Sequence, residues 1–314
     1  MRILHTGDWH MNAILGGKRI ERSSDIIRSL EQIAAYLDER QVDVMIVAGD
    51  VFCDRSDPEA LCSAVGEIKR IFTPFLIRKD RPGTILTISG NHDKHNFFQT
   101  LRHAMDLAPA VPTPEGILAS GRLHLFHRPN LVKIADRVGT TVQFLLMPYP
   151  QEYWLKDLEY DTRAGQHRAK QDRFTKYLEL LRAKSDQALP SVLVSHILIQ
   201  GAKGQGDYRF GIEQDVVFSR TDIPTEFEYI AYGHIHQAQT PVANAPWIRY
   251  CGSVERLDGG DRNDEKTVAV VDIGPNGRID DPEVLPLPFS PMARYNMANL
   301  TNPNVLSPNW SENG

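Results

Sequence analysis

Five apolar runs in this chain end in side chains that could do chemistry. They are Asp8 and His10, Asp50, Asn91 with His92 and Asp93, His196, and His234 with His236. These types hold a cation through oxygen or imidazole nitrogen, and no thiolate is among them. Mixed imidazole and oxygen ligands fit manganese, iron or zinc, and suit magnesium less well. Asp8 and His10 are two apart, as are His234 and His236, so in extended chain each pair faces one side. Such a set points to two divalent ions held about 3.5–4 Å apart, readying a water for displacement at phosphorus. Asp50 is the natural bridging carboxylate. Asp8, His10 and one of the paired histidines would complete the shell of one ion. Asn91, His196 and the other paired histidine would complete the second. Two dications set against two carboxylates and a hydroxide leave a positive centre, suited to a phosphodiester anion. His92 is not required as a ligand, so it is available to protonate the leaving alkoxide, with Asp93 to orient it. Proton transfer of this kind contributes about 10²–10⁴ in rate.

A single Asp-x-His or His-x-His is ordinary, and an aspartate after a strand is often only a helix cap. Five such ends in one chain are hard to explain by structural roles alone. In four of the five, glycine stands directly before the first polar group: Gly7, Gly49, Gly90 and Gly233. Glycine lets backbone approach a ligand with no Cβ in the way. Open α/β sheets place their sites at the carboxyl ends of strands.

The elements that must position these groups are legible. Residues 2–6, 42–48, 85–89, 123–126, 142–147, 191–195, 229–232, 247–251 and 267–273 read as strands. Val42–Ala48 is nearly all apolar, as in a strand buried on both faces of a parallel sheet. Residues 23–40, 57 to about 72, 96 to about 107 and 166–189 read as helices, the second capped by Asp57 with Pro58 in its first turn. The expected fold is α/β: a four-layer β-sandwich flanked by helices. Residues 1–285 form the main domain. Residues 286–314, rich in proline and asparagine, form an extended tail or the start of a further domain. The glycine-rich loop 201–211 lacks the Lys-Ser/Thr ending of a phosphate-cradling loop and reads as a surface or substrate loop. His5 is expected to pack inside, and His95, His103, His124, His127 and His167 to lie on the surface.

With GDWH, GDVF, GNHD, SH and GHIH in that order, the chain resembles the calcineurin-like metallophosphoesterases. MRILHTGDWH, VDVMIVAGDVF and YIAYGHIHQAQ are similar, more closely, to the SbcD-type DNA-repair nucleases within them. The resemblance implies a manganese-dependent exonuclease and endonuclease acting on DNA ends and hairpins. It implies a homodimer and a coiled-coil ATPase partner of the SbcC type; the helical faces Leu61–Ile71 and Phe97–Met105 are expected to form the two-fold interface. It places Asp8, His10, Asp50 and His236 on one ion, and Asp50, Asn91, His196 and His234 on the other. His92 matches the catalytic histidine. Where some relatives carry a histidine that positions DNA, this chain has Cys53. A small-substrate phosphatase and a non-catalytic scaffold are the competing readings.

Composition sets outer bounds. A net charge of −5 over 314 residues argues against a broadly basic nucleic-acid coat. Three cysteines without CxxC spacing favour a reduced compartment. No apolar run approaches membrane-spanning length, and the N-terminus carries no apolar leader, so a cytoplasmic protein is expected.

Overall fold

The computed structural model describes residues 1–15, 20–53, 57–107, 116–157, 160–203 and 215–292. The chain is mixed α/β and built on two sheets. The first contains β1 (Arg2–Thr6), β2 (Val44–Val47), β3 (Thr84–Ile88) and β4 (Leu123–Phe126), parallel and adjacent in that order. The second contains β5 (Asn130–Ala135), β6 (Thr141–Met147), β7 (Ser191–His196), β8 (Tyr229–Gly233) and β9 (Ile248–Tyr250), also side by side in chain order. Here β6 to β9 are parallel, and β5 closes the edge antiparallel to β6. Strand β10 (Thr267–Gly274) returns to the first sheet antiparallel to β1, with β11 (Gly277–Arg278) and β12 (Glu283–Pro286) paired to it.

The alternation of strand side chains sorts the core into layers. Val44, Ile46, Leu86 and Ile88 of the first sheet meet Phe144, Leu146, Val192, Val194 and Ala231 of the second. The alternate residues Met45, Val47 and Ile85 face outward, under α1 (Ser23–Glu39), α2 (Pro58–Leu76) and α3 (His95–Asp106). Leu145, Leu193 and Ile230 face the other way, under Phe174, Leu178 and Leu181 of α4 (Arg163–Lys184). This is the helix–sheet–sheet–helix sandwich expected from the sequence. The unbroken apolar run at β2 is explained by burial on both faces.

Asp57 caps α2 as expected, its Oδ1 accepting from the Ala60 N–H at 2.8 Å. The helix runs past Phe72, with Pro74 inside it, because Phe75 is buried in the core under it. Helix α4 starts three residues early, where the Thr162 hydroxyl accepts from the Gly165 N–H, and ends at Lys184. Strand β5 was not foreseen. It pairs with β6 across a turn in which Asp136 Oδ1 accepts from the Val138 and Thr140 N–H groups. His127 is buried against His95 and not on the surface as expected. Tyr153, which also stacks on His95, donates to the His127 carbonyl.

Leu61, Val65, Ile68, Phe97, Leu101 and Met105 are partly buried against this chain's own core, so the stripes expected at a dimer interface are already half covered. Strand β12 crosses the 285/286 division, and beyond it Leu287 is buried and Ser290 N–H donates to Glu255. The rest of the expected tail, from 293, lies outside the described residues, as does most of loop 201–211. No helix among the described residues is long and apolar enough to cross a membrane.

Candidate metal centre

Strands β1, β2 and β3 of one sheet and β7 and β8 of the other finish at a common edge. Their end residues turn inward there. Asp8, His10, Asp50 and His234 all have positive φ, at 49°, 45°, 51° and 98°. Non-glycine residues adopt that region at a cost of about 1–3 kcal/mol each, and such residues concentrate at functional sites. The preceding glycines are needed for a separate reason. A Cβ on Gly90 would stand 2.1 Å from Asp50 Oδ1, and one on Gly49 2.3 Å from His196 Nδ1. The strand ends close onto one another only because these Cβ atoms are missing.

All seven residues expected to hold ions are brought together. His196 Nε2 lies 3.2 Å from Asp50 Oδ2 and 2.9 Å from Asn91 Oδ1. His234 Nδ1 is 2.9 Å from the same Asn91 oxygen and 3.3 Å from His196 Nε2. On the other side of Asp50, His10 Nε2 is 3.6 Å from Oδ2 and 3.2 Å from His236 Nε2. Asp8, His10 and His236 offer ligand atoms within 4.8 Å of one another, as do Asp8, Asp50 and His196. Asp50 therefore stands between two groups of donors.

Each of three histidines has its far nitrogen occupied. His196 Nδ1–H donates to the Ala48 carbonyl at 2.7 Å, across the two sheets. His234 Nε2 lies 2.6 Å from Asp215 Oδ2, and His236 Nδ1 3.3 Å from Asp261 Oδ2. Burial would raise both carboxyls, but the facing imidazoles hold them well below their ordinary value, so they accept the N–H. The other nitrogen of each faces the centre: His196 Nε2 toward Asp50 Oδ2, His234 Nδ1 toward Asn91 Oδ1 and His236 Nε2 toward His10 Nε2. The nitrogen pairs 3.2–3.3 Å apart match the spacing of two ligands on one ion, each about 2.1 Å from it and about 3 Å from the other. The donor set therefore fits a cation between each pair, and carboxylate–imidazole support of this kind is typical of metal-holding histidines. Burial opposes a proton on His196, but the Asp50 carboxylate outweighs it and lifts its pKa to about 9. A metal ion would meet the same negative field.

His92 is half-buried beside the centre, its ring centroid 5.0 Å from that of His10, and its backbone N–H donates to Asp50 Oδ1 at 2.8 Å. Asp93 is buried and accepts from the backbone N–H groups of Val51, Phe52 and Gly90. Burial and the Asp50 charge raise its pKa to about 7. Its carboxylate thus ties the turn carrying Asn91 and His92 to the turn carrying Asp50. Gln151 Nε2 braces the same turn by donating to the Gly90 and Asp93 carbonyls. Cys53 is half-buried, its N–H donating to the Met11 carbonyl. Asp215, Asp261 and Gln151 were not foreseen, because each stands far along the chain from the ligand it supports and beside no motif.

A model of the family described as "Calcineurin-like phosphoesterase" matches residues 1–238. The chain belongs to that family. It is accordingly a hydrolase of phosphoester bonds, and divalent metal ions are the cofactors of this family. Among its curated relatives are proteins named as the SbcD component of the nuclease SbcCD. The one from Bacillus subtilis is 26% identical over 95% of this phosphoesterase chain and 73% of its own length. The Escherichia coli K12 protein is 29% identical over 96% and 72%, and the Staphylococcus epidermidis protein 26% over 90% and 68%.

Proposed function

We propose that this phosphoesterase is a DNA phosphodiesterase of the SbcD type, working with two divalent ions, manganese foremost. The observation that carries the reading is the set of inward-facing imidazole nitrogens gathered with Asn91 on either side of Asp50. The names of its relatives supply the substrate class. In the assignment we favour, Asp8, His10 and His236 share one ion with Asp50, and Asn91, His196 and His234 share the other. When bound, the ions supply a nucleophilic water near neutral pH and neutralise charge on the phosphoryl oxygens. The chain's own residues do the rest. Asp50 fixes the separation of the two donor groups. Asp215, Asp261 and the Ala48 carbonyl fix which nitrogen of each imidazole faces inward. His92 stands at the rim, where it can give a proton to the departing oxygen. Asp93 positions His92 through the backbone of the turn they share. A coiled-coil ATPase of the SbcC type is the proposed partner, and a homodimer the proposed assembly, both on the strength of the resemblance to SbcD-type nucleases.

The test is incubation with Mn²⁺ and end-labelled linear DNA beside 4-nitrophenyl phosphate. Degraded DNA is the expected result. Turnover of the monoester alone would replace DNA by a small substrate, and turnover of neither would leave a scaffold.

A further inference from the structure

A cavity of about 1000 Å³ opens beside the metal centre, its wall running from Asn91 through Tyr149, Tyr153, Lys156, Tyr160 and Lys170. Glu152 and Asp161 also line it, so its formal charge is balanced. Lys170 is out of keeping with that balance. It is only 8% exposed, yet it forms no hydrogen bond and no ion pair among the described residues. Its ammonium lies 5.8 Å from the centroid of the Tyr149 ring. Burial lowers its pKa, against the opposing charges of Glu152 and Asp215, neither of which is in ion-pair contact with it. Its position on α4 is one turn before Phe174, on the stripe that continues with Leu178 and Leu181. Its stem packs on that stripe while its ammonium stays open to the cavity, where an anion can reach it.

Tyr149 connects this lysine to the chemistry. Its ring stacks near His234, 6.0 Å between centroids and 24° apart in plane, and its hydroxyl donates to Asp215, the carboxylate behind His234. The unpaired cation and a metal-facing imidazole thus share one aromatic wall.

We propose that this cavity is the subsite for the nucleotide next to the scissile bond, with Lys170 receiving the adjacent phosphate and the exposed Tyr160 ring receiving an unstacked base. The proposal rests on the DNA-phosphodiesterase reading and deepens it: the strand that enters is single, and at least two of its phosphates are held. A base inside a duplex has both faces covered, so it can stack on a protein ring only after leaving the stack. The balanced wall does not gather a field of phosphates, whereas one buried ammonium suits one phosphate.

The experiment compares wild type with Lys170→Met, which keeps the stem and removes the charge, and with Lys170→Arg. The substrates are a single-stranded oligothymidylate and bis(4-nitrophenyl) phosphate, which has one phosphate and no base, both with Mn²⁺. Lys170→Met should raise KM for the oligonucleotide about tenfold or more, and change the small diester by less than about threefold. The salt dependence of oligonucleotide binding should fall by about 0.7 in log–log slope, the value for one contact to a single strand. Lys170→Arg should recover part of the KM. Calorimetric Mn²⁺ titration should leave metal affinity within about threefold of wild type, since Lys170 touches no proposed ligand. Equal losses on both substrates, or an unchanged KM with an unchanged slope, would overturn the proposal. A blunt duplex bound as tightly as the single strand would overturn the unstacked base. Wild type that cleaves the small diester and leaves every oligonucleotide intact would remove the DNA reading itself, and this subsite with it.

Discussion

Gly90→Ala is the sharpest test of how the metal centre is assembled. The added Cβ would meet Asp50 three times, at 2.1 Å from Oδ1, 2.5 Å from the backbone nitrogen and 2.6 Å from Cγ. Rotating the Asp50 side chain cannot relieve the overlap, because the backbone nitrogen at 2.5 Å is fixed in the chain. Opening the oxygen contact from 2.1 Å to the 3.4 Å of ordinary contact requires a shift of about 1.3 Å. That shift falls on the carboxylate between the two donor groups, and it breaks the 2.8 Å hydrogen bond from the His92 N–H. Overpacking of this kind destabilises by about 1–3 kcal/mol. A misplacement of about 1 Å in a catalytic constellation costs about 10² in rate. We therefore expect a lowered melting temperature, Mn²⁺ affinity weaker by about 10²-fold in calorimetry, and diesterase activity reduced by at least as much. Gly66→Ala is the control. It lies inside α2 with nothing within 4 Å of the new Cβ, and should stabilise by about 0.8–1.0 kcal/mol with metal affinity unchanged. Gly90→Ala protein that binds Mn²⁺ as wild type does would refute the argument that missing Cβ atoms let the strand ends converge.

Three further outcomes are expected. His92→Asn should retain Mn²⁺ binding yet lose about 10²–10⁴ in cleavage of DNA, and a variant that digests DNA at the wild-type rate would remove His92 as proton donor. Asp215→Asn should weaken Mn²⁺ binding about 10–100-fold in calorimetry, because His234 Nε2 loses its carboxylate; an unchanged isotherm would show that the 2.6 Å contact does not orient the ring. His5 is fully buried, and burial, with help from the Arg249 charge, lowers its pKa to about 3 from 6.5. Its neutral form is the folded form, so its contribution is present above pH 6.5 and is lost as pH falls toward 3. At about pH 4.5 the loss is about 2–3 kcal/mol. Denaturant unfolding of His5→Asn should lack that part of the fall between about pH 7 and 4.5, and an identical fall in the variant would refute it.

What was legible in the sequence, and what was not, divides along one physical line. A ligand must sit where its strand stops, so the proposed ligands Asp8, Asp50, Asn91, His196 and His234 announce themselves as polar residues after an apolar run, most of them behind a glycine. The groups that act on those ligands from behind have no such address. Asp215 reaches His234 across 19 residues and Asp261 reaches His236 across 25, each from outside the strands that carry the ligands, and any element whose carboxylate arrived there would serve as well. The same holds for His127. Nothing near it in sequence announces that the ring of His95, at the start of α3, lies 5.0 Å away and that Tyr153 donates to the His127 carbonyl. Lys170 was hidden differently, among the many lysines and arginines of α4, none of which stands out by spacing. Only the packing of α4 on the second sheet separates it from them, by placing it on the Phe174–Leu178–Leu181 stripe. Charge on the surface of a helix is uninformative, whereas charge on its buried face has to be matched by something. For Asp215 and Asp261 the match is an imidazole within the chain, and for Lys170 no match exists among the described residues. An anion that comes and goes, as the proposed strand would during cleavage, is the kind of partner that leaves such a residue unpaired between turnovers.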